Sequence, residues 1–166
     1  MNNERKSQEN RKSIKTFPIP IQSGDNKEDI SISSYNYLDK LSEEEITNKA
    51  FEFHSKGNIT EAYKYYKFFI NKGYENHIVF SNYGTLLKGQ GNLKEAELFT
   101  RKAIKIKPDY AIAFCNLGSI LIDQKKLKEA ERLTREAINI DPYLSEAHSN
   151  LGSILIDQGK FKEAEL

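Results

Sequence analysis

The sequence offers few of the residue patterns that chemistry requires. It has a single cysteine, Cys115, so no internal disulfide can form, and a reducing, cytoplasmic setting is the expectation. No stretch approaches the roughly 18 apolar residues of a membrane span. The basic N-terminus, MNNERKSQENRKSIK, has no apolar stretch behind it, as a secretory signal would. Residue 2 is Asn2, which excludes the myristoylation pattern. No excess of one charge is present: 25 basic against 24 acidic side chains give no bulk attraction to nucleic acid or an anionic membrane. His54, His77 and His148 share no metal-ligand spacing. Gly89 and Gly91 do not make a phosphate-cradling loop. The expectation is therefore no active site, no metal and no cofactor within this chain.

What the chain has instead is repetition. NLGSILIDQ occurs at Asn116–Gln124 and again at Asn150–Gln158, with starts 34 residues apart. KEAE recurs at Lys94–Glu97, Lys128–Glu131 and Lys162–Glu165 with the same interval. A fixed period outranks every other signal for fold. Rows of 34 residues run Glu43–Asn76, His77–Tyr110, Ala111–Leu144 and, cut short, Ser145–Leu166.

Residues 1 to about 40 are of different material. They are rich in Asn, Ser, Lys and Glu, include Pro18 and Pro20, and keep no period. Such a segment cannot bury enough apolar surface to offset its ordering entropy, so a disordered polar tail is expected. Its basic start (Arg5, Lys6, Arg11, Lys12, Lys15) suits either an acidic partner or a purely solubilising role. Order is expected from Ser42-Glu43-Glu44-Glu45, a capping box with three acids at the positive end of a helix.

Each row reads as two helices. In row three Phe114, Leu117, Gly118 and Leu121 mark one face of the first. Leu127, Ala130, Thr134, Ala137 and Ile138 mark the second, which Asp141-Pro142 ends. Row two repeats this with Phe80, Tyr83, Gly84 and Leu87, then Leu93, Ala96, Thr100, Ala103 and Ile104 before Pro108. Row four begins alike with His148, Leu151, Gly152 and Leu155, followed by Phe161 and Ala164. Gly84, Gly118 and Gly152 sit inside helices at a cost of about 1 kcal/mol each. Close approach of the paired helix would offset it, with Ala96, Ala130 and Ala164 as the facing small residues.

This pattern resembles the tetratricopeptide repeat (TPR), a helix–turn–helix unit of about 34 residues. It has a bulky residue at place 4, Leu-Gly or similar at places 7 and 8, Ala at 20 and 27, and Pro at 32. Rows two and three match at every place, except that Tyr83 stands for Leu at place 7. Row four matches as far as it goes. Row one departs, with Lys49, Phe69 and Tyr74 at places 7, 27 and 32. The resemblance implies an all-α, right-handed α-solenoid over residues 43–166, behind the tail. Its repeats are 43–76, 77–110, 111–144 and a partial 145–166. It also implies a scaffold that holds a protein or extended peptide in a concave groove lined by the first helices.

Asn48, Asn82, Asn116 and Asn150 recur at place 6. An Asn amide pairs with one backbone amide of a peptide, and the TPR array of the O-linked N-acetylglucosamine transferases has a similar asparagine ladder. The alternative is that these amides bond across to a neighbouring helix. Ser119, Ser153, Asp123 and Asp157 complete the candidate groove, which is small, polar and slightly acidic. The Lys and Arg of chaperone-binding TPR proteins are missing there apart from Lys88, which disfavours a clamp for acidic peptide ends. Glu95, Glu129 and Glu163 read as solvated faces, and Cys115 as a packing residue. The sequence stops at Ala164-Glu165-Leu166, where an array would need a cap. A longer enzyme whose substrate arm this is, a truncated gene, and self-association through the uncapped end are the three explanations.

Overall fold

The computed structural model describes residues 37–160. Seven α-helices make up this part of the chain: α1 (Glu43–Ser55), α2 (Ile59–Asn71), α3 (His77–Gly89), α4 (Leu93–Ile106), α5 (Ala111–Asp123), α6 (Leu127–Ile140) and α7 (Ser145–Asp157). No strand occurs among the described residues. The odd-numbered helices begin at residues 43, 77, 111 and 145, each the first residue of a 34-residue row. The tail up to residue 36, and Phe161 to Leu166 with Glu163 and Ala164, lie outside the described residues.

The chain is a helical-repeat solenoid of helix pairs. α1 packs on α2, α3 on α4 and α5 on α6, and each second helix then packs on the next first helix. The capping box is formed: the Ser42 N–H donates to Glu45 Oε2 at 2.8 Å, and the Glu45 N–H donates to Ser42 Oγ at 3.2 Å. Order starts slightly earlier than the composition suggests. Leu38 is buried in the core and Asp39 pairs with Lys72 at 2.6 Å, so Tyr37 to Lys40 belong to the folded unit rather than to the tail.

The turn inside each pair needs left-handed backbone at place 15. Gly57, Gly91 and Gly159 supply it with φ of 72°, 77° and 73°. Lys125 occupies the same place at φ 61°, a conformation that costs an L-residue roughly 1–2 kcal/mol. The ends of the second helices differ. α4 and α6 stop before Lys107-Pro108 and Asp141-Pro142, with Lys107 and Asp141 extended. α2 has no proline to stop it. Gly73, at φ 76°, reverses the chain, and the Gly73 and Tyr74 N–H groups bond back to Ile70 and Phe69.

The helical glycines do permit close approach, but the main facing group is not the expected alanine. A Cβ on Gly84 would overlap Thr100 Oγ1 and lie 3.0 Å from the Ala96 carbonyl oxygen. A Cβ on Gly118 would overlap Thr134 Oγ1 and lie 3.6 Å from the Ala130 carbonyl oxygen. Thr100 and Thr134 are fully buried, so these hydroxyls fill the space that glycine leaves. Ala96 and Ala130 contribute their backbone to the contact. Gly152 meets nothing among the described residues.

Candidate binding groove

α1, α3, α5 and α7 follow one another along one side of the solenoid, and contacts join α3 to α5 and α5 to α7. Asn116 Nδ2 on α5 donates to Ser81 Oγ on α3 at 3.0 Å. Asn150 Nδ2 on α7 donates to the Cys115 carbonyl on α5 at 3.3 Å, with Cys115 Sγ at 3.4 Å. Lys88 on α3 reaches Asp123 on α5 at 3.5 Å. The place-6 asparagines of the last two steps therefore each spend a donor on the preceding first helix, bonding to its place-5 residue. An amide keeps its carbonyl oxygen and one N–H after such a bond.

The other two asparagines behave differently. Asn82 is buried, with its amide nitrogen beside the Tyr66 hydroxyl but in no hydrogen bond of good geometry. Asn48 is exposed and lines a recess of about 320 Å³ with Glu43, Glu44, Thr47 and Asn76. The recess opens where α1 and α3 barely touch, unlike the α3–α5 and α5–α7 steps. The four asparagines thus share a register but not a surface.

The hydroxyls at place 9 are half-buried or exposed. Thr85 Oγ1 donates to the Ser81 carbonyl at 3.0 Å, and Ser153 Oγ to the Ser149 carbonyl at 3.1 Å. Each still presents acceptor lone pairs outward. Ser119 stands between them, half-buried. Asp123 is neutralised by Lys88, whereas Asp157 is exposed and pairs with no cation among the described residues. The reason is local: the residue equivalent to Lys88 in the next repeat is Ile122.

The same layer contains Cys115. It is buried, and burial together with the Glu146 charge raises its thiol to about 11, although Asn150 and Lys88 oppose the rise. At neutral pH it is a thiol, a poor nucleophile. His54 is also buried, its Nδ1 3.0 Å from the Tyr66 hydroxyl, and burial lowers its pKa to about 4. Among the described residues no group of three His, Cys, Asp or Glu side chains stands close enough to hold a metal. No helix there is long and apolar enough to cross a membrane.

On the second helices, the repeated glutamates join the repeats. Glu97 accepts from Arg101 at 2.7 Å and from Lys126 of the next repeat at 3.0 Å. Glu131 accepts in the same way from Arg135 and from Lys160, each at 3.0 Å. Arg101 also reaches Glu129 across the junction at 2.8 Å. Glu129 is therefore more than a solvated face. Burial alone would raise the Glu97 carboxyl, but hydrogen bonds from Arg101, Lys126 and Gln124 bring it down to about 2. The signal for this clamp was the shared 34-residue spacing of Glu97 with Glu131 and of Lys126 with Lys160.

Comparison with known proteins agrees with this geometry. Tetratricopeptide repeat patterns match residues 79–110 and 111–143, and a second such pattern matches residues 46–69. The chain belongs to the tetratricopeptide repeat family. No curated protein matches the sequence. An O-GlcNAc transferase mutant of Thermobaculum terrenum is similar in fold at 21% identity and TM-score 0.64, over 68% of this chain. This chain spans only 22% of that transferase. MamA is similar at 18% identity and TM-score 0.70, over 80% of this chain and 72% of its own. The first TPR of Spaghetti (RPAP3), solved bound to an HSP90 peptide, is similar at 19% identity and TM-score 0.65, over 70% of this chain and 93% of its own. At these identities the likeness is one of fold.

Proposed function

We propose that the layer formed by α1, α3, α5 and α7 holds an extended segment of another protein, and that this chain turns over nothing itself. The observation that carries the reading is the polar face made by half-buried Ser119, exposed Ser153 and Asp157, and half-buried Asn116 and Asn150, whose bonds to the preceding helix use only the amide nitrogen. Packing within the solenoid leaves those groups available. A groove of helix-mounted acceptors grips an extended backbone with little side-chain selectivity. The neighbour solved bound to an HSP90 peptide supports the reading.

Asn116→Ala with Asn150→Ala is not a clean test, because both amides also join helices. Ser119→Arg with Ser153→Arg places bulk on the face without touching the core. Proteins captured by the wild-type chain in cross-linked cell extract should be lost from this variant while its circular dichroism is unchanged. Undiminished capture would remove the groove from the account.

A second reading is favoured by the likeness to part of the O-GlcNAc transferase. In it, this array is the substrate-holding arm of a longer enzyme. The mass of the native product, measured by tandem mass spectrometry, decides it. A mass near 19 kDa would remove the arm reading, and a much larger mass would support it.

A further inference from the structure

The two layers of the solenoid have opposite charge. The four first helices carry seven carboxylates against two lysines. The three described second helices carry nine basic side chains against six acidic ones. Near-neutral composition hides this separation.

Local pairing sharpens it. Within the first-helix layer, Glu45 is tied to Ser42, and Glu52 to Lys56. Lys49 lies between these two carboxylates and lowers both. Asp123 neutralises Lys88. Lys88 is thus engaged, and Lys49 stands nearest Glu45 and Glu52. Four carboxylates remain without a cation among the described residues, and they fall at the two ends of the groove. Glu43 and Glu44 line the recess at the α1 end. Glu146 and Asp157 lie on α7, and the Glu146 charge reaches Cys115 of the neighbouring helix. The middle of the groove is neutral, with Thr85, Ser119 and half-buried Ile122.

Resting on the groove reading above, we propose that the ligand is a basic segment, with a positive side chain toward each end and small or apolar residues between. Two packed steps of about 8–10 Å separate α3 from α7, and α1 stands at least one such step further off. At about 3.3 Å per extended residue, the two positive groups stand at least about eight residues apart. An acidic peptide end meets repulsion at both ends of this groove and finds its central cation already engaged.

The probe is a fluorescein-labelled eleven-residue peptide of serine and alanine with arginine at its second and penultimate positions. A matched peptide carries glutamate at both positions. Fluorescence anisotropy should show the full chain binding the arginine peptide, less tightly as salt rises, and the glutamate peptide much more weakly. Asp157→Asn and Glu44→Gln should each weaken arginine-peptide binding about two- to fivefold. Glu136→Gln, an exposed change on the other layer, should leave it unchanged. Equal or tighter binding of the glutamate peptide, no binding of the arginine peptide, or an equal effect of Glu136→Gln would overturn the proposal. The groove reading fails separately, if captured partners survive Ser119→Arg with Ser153→Arg. Partners lost from that variant but indifferent to Asp157→Asn would leave the groove standing and remove its charge preference.

Discussion

The junction between the first two repeats and the junction between the second and third are built from different materials. At the later one, Lys126 grips Glu97, Arg101 grips Glu129, Gln124 donates to the Leu93 carbonyl at 3.1 Å, and Asn116 donates to Ser81. The step to α7 repeats the scheme through Lys160 with Glu131 and Asn150 with Cys115. At the earlier junction, aromatic rings meet: Tyr63 and Tyr83 at 5.5 Å between centroids, and Tyr66 and Tyr83 at 6.4 Å. Among the described residues no lysine or arginine spans that junction to a carboxylate. Tyr63 occupies the place of Glu97 and Glu131, and Asn92 that of Lys126 and Lys160. Directional bonds fix the rotation of one repeat on the next. Ring packing prefers tilted or edge-to-face geometry but holds the rotation less closely than a set of ion pairs and amide bonds. The recess between α1 and α3 lies at the aromatic junction.

Acid should separate the two regions most strongly. His54 in the first repeat has its pKa lowered to about 4 by burial, from an ordinary 6.5. The unfolded chain therefore takes up this proton first as pH falls. The neutral ring's contribution is complete above pH 6.5 and is lost between 6.5 and about 4, roughly 3 kcal/mol at full loss. Glu97 is lowered in the folded state, so its contribution is complete above pH 4.5 and lost only as pH falls toward 2. Hydrogen exchange resolved by helix should show α1 and α2 losing protection near pH 5 while α4 to α6 keep theirs. Simultaneous loss in all helices would make the comparison empty.

Gly84→Ala should cost about 1–3 kcal/mol in urea titration, because Thr100 Oγ1 and the Ala96 carbonyl occupy the space a Cβ needs. Gly118→Ala should cost somewhat less, because its Cβ meets Thr134 Oγ1 but lies 3.6 Å from the Ala130 carbonyl oxygen. A larger cost at Gly118 than at Gly84 would show that helix crowding does not decide the matter. Glu97→Gln removes the clamp's centre and should cost about 1 kcal/mol. Faster exchange at the α4–α5 junction, with α1 and α2 unaffected, is the expected signature. Lys125→Gly relieves the left-handed lysine and should raise the melting temperature by a few degrees, worth about 0.5–1 kcal/mol. An unchanged or lower melting temperature would mean that the lysine is not strained there.

Much of the fold could be read from the rows of 34. Helix starts at Glu43, His77, Ala111 and Ser145 followed from NLGSILIDQ and KEAE, and the cap at Ser42 from four residues. The glycine contact was legible, but its main partner was not. Thr100 and Thr134 read as face markers because nothing in the sequence says which way a hydroxyl rotates inside a pair. The asparagine column was visible, yet register alone does not separate Asn82, buried beside Tyr66, from Asn48, open to solvent. These amides bond backward to the preceding first helix: Asn48 has none among the described residues, and Asn82 faces an α1 that barely touches α3. The clamp could have been found by reading Glu97 and Lys126 as columns, since both recur one row later.

The first-helix layer as the binding surface is open to one decisive measurement, hydrogen exchange on the full chain with and without a captured partner. Added protection is expected in α3, α5 and α7, extending to α1 at the recess, with α4 and α6 unchanged. Protection confined to α4 and α6 would place the partner on the basic outer layer and contradict it.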